Sequence, residues 1–215
     1  MKTKLYSFIL KEREKTAKVL EQAAAILEKG GVVIIPTETC YSIAIDATNA
    51  DAMEKLLALG VLPGLTNPVI VSDLRMAREY MAVNESAEKI CNAFMPGPVT
   101  LVVDLLPSSK FAPKLFPSGA SFRISSNIFT RALASELGKP ITVAILPNKP
   151  VYSLRELQSL FDTKVDSIVS SGDLPLVMPS TVVDIRSEHP VLVRQGPVPF
   201  EEITRVVATI SASAE

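Results

Sequence analysis

Six consecutive residues, Pro36-Thr37-Glu38-Thr39-Cys40-Tyr41, place two hydroxyls, a carboxylate and a phenol directly after an unbroken apolar run. Polar side chains just past a buried strand are where open α/β sheets bind small molecules. Taken alone, the segment also fits an ordinary strand-to-strand turn. Further along, Arg123 interrupts the stretch Ser121-Phe122-Arg123-Ile124, Ser180-Thr181-Val182-Val183-Asp184 opens another, and Leu192-Val193-Arg194-Gln195-Gly196 closes one. A guanidinium grips carboxylates and phosphates in two-pronged fashion, so these arginines suit an anionic ligand, with a surface salt bridge as the alternative for each. His189 is the only histidine and precedes a proline in a polar turn, which leaves histidine-centred triads and histidine-rich metal sites without their key residue. Cys40 and Cys91 are too few and too far apart for a zinc site or a disulfide framework, and fit small core or pocket-wall positions in a reduced compartment.

The chain's periodicity supplies a scaffold for these residues. Residues 13–29 predict an amphipathic helix, with Leu20, Ala24 and Leu27 on one face and Gly30-Gly31 as its stop. The run from Gly31 to Pro36 is continuous and rich in β-branched residues, which predicts a strand buried on both faces. Further strands are expected at 41–46, 67–72, 99–105, 120–124, 140–146, 166–170, 181–185 and 191–194. Helices are expected at 49–59, 73–80, 85–94, 126–137, 153–160 and from Phe200 onward. Hairpin-length and helix-length connections alternate, which predicts an α/β fold with a mixed, twisted sheet and flanking helices.

With 215 residues, 47% of them hydrophobic, and no repeat or convincing linker, residues 1–215 are expected to form one domain. No apolar run approaches the ~20 residues that cross a bilayer, and the charged opening lacks the apolar core of a secretory signal. A cytoplasmic location follows as the expectation. The net charge of −1 gives no global drive toward nucleic acid, so any RNA binding has to come from a local patch.

The order and spacing of Pro36–Tyr41, Pro96-Gly97-Pro98-Val99-Thr100-Leu101, the Arg123 segment, Ser180–Asp184 and Leu192–Gly196 resemble the YrdC-like family of threonylcarbamoyl-AMP synthases. Each segment is weak evidence by itself; five in register, from about residue 15 to about residue 205, are specific. The resemblance implies a YrdC-like twisted mixed sheet with a concave ligand cavity. It also implies threonine, bicarbonate and ATP with Mg2+ as ligands, and a role in threonylcarbamoyl modification of tRNA adenosine. Carried over by position, Thr37, Thr39, Tyr41, Arg123 and Ser180 would bind substrate, and Arg194 would sit against the nucleotide phosphates. The implied chemistry relies on positioning and cations rather than a protein nucleophile, so no residue is assigned as catalytic and none as a metal ligand. Weak, salt-dependent binding of tRNA or double-stranded RNA is a further expectation.

The departures are as informative. Where the family carries a Lys-x-Arg-Pro loop, this chain reads Gly60-Val61-Leu62-Pro63-Gly64-Leu65-Thr66-Asn67-Pro68, and no Lys or Arg occurs between Lys55 and Arg75. Where the family carries Ser-x-Asn, only Asn148 can stand in on the nucleotide side, one position out of register, with Lys149 as another replacement for a lost cation. Three functions therefore stay open at this level. One is an active nucleotidyltransferase; another is a catalytically impaired paralogue that binds nucleotide or RNA or serves as a partner subunit; the third is a carbamoyl-transfer relative acting on a different acceptor.

Overall fold

The computed structural model describes residues 2–8, 11–62, 64–112, 114–116, 119–145 and 149–208. Its first strand, β1 (Lys4–Ser7), is followed by helix α1 (Arg13–Glu28), whose buried Val19, Ala23, Ala24 and Leu27 form the expected stripe. Strand β2 (Val33–Pro36) is buried along its whole length. Val33 and Ile35 pack into one apolar cluster and Ile34 into another, as the period of two along a strand requires. Next come β3 (Tyr41–Ala44), α2 (Ala50–Ala58), β4 (Val69–Ile70), α3 (Leu74–Tyr80), α4 (Glu85–Phe94), β5 (Val99–Val103) and β6 (Ala120–Arg123). The rest is α5 (Ile128–Leu137), β7 (Ile141–Thr142), β8 (Ala144–Ile145), α6 (Leu154–Phe161), β9 (Ser167–Ser170), β10 (Thr181–Asp184), β11 (Val191–Arg194) and α7 (Phe200–Ala208).

Short polar side chains start many of the helices. Asn49, Asp73, Asn84 and Asn127 each accept a hydrogen bond from the backbone N–H three residues on, satisfying a donor that the first helical turn leaves free. Gly138 ends α5 at φ 68°, a left-handed conformation that a glycine adopts without penalty.

The strands form two mixed sheets rather than one. The five-stranded sheet has the order β1-β9-β2-β3-β8, and the six-stranded sheet the order β11-β10-β5-β6-β4-β7. The reason lies in the stretch expected as a single strand over 140–146. Its first half, β7, pairs with β4 at the end of one sheet; its second half, β8, pairs with β3 at the end of the other. A strand that switches sheets makes a corner, and apolar alternation does not reveal where the switch occurs. One apolar cluster draws on both sheets, including Ile34, Tyr41, Leu101, Phe122 and Val183; a second seats α1 and α5 against Val33, Ile35 and Val169. Strand β1 was absent from the sequence reading because Lys4, Leu5 and Ser7 are exposed, so it carries no apolar signal, although it pairs in parallel with β9. Among the described residues, no helix is long and apolar enough to cross a membrane.

Candidate functional site

The corner between the sheets is also where the polar residues meet. Strand β2 hands the chain to a turn before β3, and Thr37 holds that turn. Its hydroxyl donates to the Cys40 carbonyl (2.7 Å), accepts from the N–H groups of Thr39 (3.1 Å) and Cys40 (3.2 Å), and lies 3.0 Å from the Thr39 hydroxyl. The turn leaves Thr39 facing a narrow cavity whose other polar walls are Ser42, Thr66, Arg123, Ser180 and Arg194. Pro68, Val143, Ile145 and Pro179 complete it, so both sheets and their corner contribute. The cavity is narrow, with about 10 Å³ for water between its walls, and is partly open to solvent. A larger hollow of about 460 Å³ lies between β1 and α6, but its charged residues, Lys2 and Asp162, are solvent-exposed and gather no such cluster.

Arg194 is anchored from the end of β11. Its Nε donates to the Ser180 carbonyl (3.1 Å) and its Nη2 to the Ser180 hydroxyl (3.2 Å), which in turn lies 2.9 Å from the Thr100 hydroxyl. Gly196 lets these segments close on one another: a Cβ there would stand 2.3 Å from the Thr181 nitrogen and 2.4 Å from the Pro179 carbonyl oxygen. Thr181 clamps the approach, accepting from the Gly196 N–H (3.0 Å) and donating to the Val198 carbonyl (2.7 Å). Burial, and then the positive charge of Arg123, hold the Arg194 guanidinium below its ordinary pKa.

Arg123, at the end of β6, is only 3% exposed and faces Glu38, whose side chain is 13% exposed. The guanidinium Nη1 and Glu38 Oε1 stand 3.4 Å apart, within ion-pair range. Neither Glu38 Oε1 nor Arg123 Nε makes a hydrogen bond, so Coulomb attraction alone joins them. The other carboxylate oxygen, Oε2, accepts from the Ser125 hydroxyl, and Arg131 fixes Ser125 by donating to its carbonyl (2.7 Å). Two guanidiniums against one carboxylate leave one positive charge uncompensated, which is an anion site's requirement. Cys40 lies within electrostatic reach of both arginines, yet burial outweighs them and pushes its thiol up, so it stays protonated at neutral pH.

Of the residues singled out in the sequence, Thr39, Arg123, Ser180 and Arg194 line one cavity, and Thr37 touches it through Thr39. Tyr41 does not. Its ring packs in the core between the sheets, and its hydroxyl donates to the Gly172 carbonyl (2.5 Å) and accepts from the Ser171 N–H (3.2 Å). Side chains alternate along β3, so Ser42 reaches the cavity and Tyr41 faces away from it. Asn148 lies outside the described residues. Lys149 pairs with Glu156 on α6 at 2.7 Å, with 66% of its side chain exposed. In the segment that replaces the basic loop, Val61 is buried, Leu62 is exposed and Thr66 supplies the wall. Glu38, Ser42 and Thr66 received no role from the sequence; the one available signal was Glu38's place between two threonines past a buried strand.

Comparison with known proteins bears on the family and the fold. A family model described as "Telomere recombination", that of the Sua5, YciO and YrdC proteins, matches residues 25–196. The chain belongs to this family. It is 30% identical over 199 residues to an uncharacterized protein of Haemophilus influenzae, covering 88% of this chain and 94% of that one. It is also 30% identical over 197 residues to the threonylcarbamoyl-AMP synthase of Pyrococcus abyssi, covering 87% of this chain but 57% of the synthase. The structure of P. abyssi Sua5 in complex with L-threonine superposes with a TM-score of 0.79 at 25% identity, over 96% of this chain and 61% of that one. The Sua5/YciO/YrdC fold is thus the fold of this chain, and the archaeal synthase extends well beyond the part matched here.

Proposed function

We propose that the chain, acting as a single domain over residues 1–215, is a nucleotidyltransferase of the threonylcarbamoyl-AMP synthase type that serves tRNA modification. The observation that carries the reading is the convergence of Arg123 and Arg194, with the hydroxyls of Thr39, Ser42, Thr66 and Ser180, on one cavity at the corner of the sheets. In the proposed reaction the neutral threonine amine attacks bicarbonate with loss of water, or carbon dioxide with loss of a proton, and either route gives the carbamate. A carbamate oxygen then attacks the α-phosphorus of ATP, and the bond to the β-phosphate breaks to release pyrophosphate. Arg123 holds the amino-acid carboxylate, while Arg194, fixed by Ser180, faces the phosphates and stabilises the charge that builds on them. Magnesium enters with ATP as part of the substrate. Contact with tRNA is weak, since a net charge of −1 gives no global attraction, and whatever a local cationic patch contributes falls as salt rises.

The missing basic loop limits the rate. Two charge-assisted contacts at about 1.5–3 kcal/mol each amount to roughly two to four decades in affinity if additive. The test is to incubate the purified protein with L-threonine, bicarbonate and MgATP and to follow threonylcarbamoyl-adenylate by chromatography. Product forms more slowly than with a relative carrying the Lys-x-Arg loop, and Thr66→Lys, which puts a cation on the cavity wall, raises the rate. Absence of product from both proteins, with threonine and nucleotide still bound, would establish the non-catalytic paralogue instead.

A further inference from the structure

Thr100 is the polar residue of β5, a strand otherwise made of Val and Leu and buried along its whole length, and it is itself 0% exposed. Among the described residues its hydroxyl has one hydrogen-bond partner, the Ser180 hydroxyl at 2.9 Å. Ser180 stands just before β10, which pairs in parallel with β5 through Thr181 and Val99 and through Val182 and Thr100, so the sheet brings the two hydroxyls together. Either oxygen could donate in that contact, and the surroundings decide which does. Arg194 Nη2 already donates to Ser180 Oγ, and a guanidinium has no acceptor, so one lone pair of Ser180 is taken. If Ser180 donated to Thr100, the Thr100 proton would be left inside the protein without an acceptor, which is costly. If Thr100 donates, its proton is satisfied, and the Ser180 proton takes the direction that remains. Ser180 lines the cavity, where an oxygen of solvent or ligand accepts that proton at no such cost.

We infer that Thr100 is a positioning residue that makes Ser180 a hydrogen-bond donor to an anionic ligand in the cavity, a role that rests on the proposed function. A serine hydroxyl that is free to rotate accepts as readily as it donates. Here both lone pairs are filled, one by Thr100 and one by the Arg194 guanidinium, so the group has only its proton to offer. Accepting from a cation also polarises the O–H bond and strengthens it as a donor. An anionic oxygen that enters the cavity therefore meets the charge of Arg194 and, beside it, a proton whose direction is set in advance. Preorganisation of that kind lowers the ordering that binding requires and acts again where charge builds up during reaction.

The test is a double-mutant cycle between Thr100→Val and Ser180→Ala, read as affinity for inorganic pyrophosphate in calorimetric titrations without threonine, bicarbonate or ATP. Ser180→Ala weakens pyrophosphate by about tenfold or more, and Thr100→Val weakens it by roughly three- to tenfold. The double variant binds no more weakly than Ser180→Ala, because Thr100 acts through Ser180 alone. Thr100→Ser, which keeps the hydroxyl, returns affinity close to that of the wild type. Val matches Thr in size and β-branching, which suits a strand, and Thr100→Ala takes its place in the cycle if Thr100→Val does not fold. Losses that multiply in the double variant, or a Thr100→Val protein that binds as the wild type does, would make Thr100 a packing residue only and overturn the inference. A wild type with no affinity for pyrophosphate would overturn it as well. Coupling between the two residues in a protein that makes no adenylate refutes only the proposed reaction. Adenylate formation with independent losses refutes only the role of Thr100.

Discussion

In the turn between β2 and β3, the Thr37 hydroxyl makes three hydrogen bonds to backbone groups of Thr39 and Cys40, and the Tyr41 hydroxyl bonds the backbone of Ser171 and Gly172. Between them in the chain lies Glu38, which is less deeply placed, and it and its ion-pair partner Arg123 each keep a buried polar atom without a hydrogen bond. Neighbouring residues of one segment thus differ: the hydroxyls close the scaffold with hydrogen bonds, whereas Glu38 meets Arg123 by charge. The largest effect is expected where that ion pair is broken. Arg123→Gln leaves the Glu38 carboxylate buried without a counter-ion, which costs about 3–5 kcal/mol of stability in a denaturant titration. The same change lowers threonine affinity by roughly one to two decades through the lost charge-assisted contact. Adding Glu38→Gln to it restores most of the stability and none of the affinity. A double variant that stays as unstable as Arg123→Gln would show that the pair is not an electrostatic unit.

The scaffold side of the comparison predicts the converse, stability lost more than ligand specificity. Thr37→Val leaves the Thr39 and Cys40 N–H groups and the Cys40 carbonyl without their side-chain partner, at a cost of about 1–3 kcal/mol. Thr37→Ser retains the hydroxyl and most of the stability. Tyr41→Phe is the sharper control, because sequence position alone assigned Tyr41 to the amino-acid side of the cavity. Its loss of a hydroxyl costs about 1–2 kcal/mol in thermal or chemical unfolding, and calorimetry finds threonine affinity unchanged. A selective drop in affinity for Tyr41→Phe would move that residue back into the site and blur the division drawn here.

That division also marks what the amino-acid order was able to reveal. Helix α4 (Glu85–Phe94) and strand β2 were readable because apolar period and buried face coincide, and Gly138 ended α5 where a left-handed residue was needed. The convergence of Arg123, Ser180 and Arg194 was accessible only as a resemblance, since residues 71 positions apart meet through sheet pairing that no local pattern encodes (Arg123 to Arg194). The division of 140–146 into β7 and β8 was hidden for the same reason: Ile141-Thr142-Val143-Ala144-Ile145 reads as one strand whichever sheet each half joins. Tyr41 lies off the cavity wall although the motif placed it there, because a motif gives order while the pleat decides the face. Glu38 was visible and unassigned, because only the coordinates tell a satisfied carboxylate from one with an unpaired oxygen.

The two cysteines extend the comparison between site and core to its smallest expected effect. Burial raises both thiols above the ordinary value of 9.0, but Cys40 is opposed by Ser42, Thr39, Arg123 and Arg194, whereas Cys91 feels the like charge of Glu88 as well and is pushed up to about 12. A thiol whose folded pKa is raised keeps its proton in the native state while the unfolded chain has already lost it. Its contribution is therefore intact below pH 9.0 and declines as pH rises toward the folded value, because the unfolded state then binds fewer protons than the native one. The alkaline loss of stability should be less steep in Cys91→Ala than in the wild type between pH 9.0 and about 12, the difference curve removing the contribution of other alkaline groups such as Lys139 and Tyr152. Cys40→Ala should change that slope less, since the guanidiniums already favour its thiolate. Denaturant titrations across the alkaline range measure both differences. An effect of Cys40→Ala as large as that of Cys91→Ala would mean that the two arginines do not act at the turn, and the positive field on which the ligand argument depends would be absent.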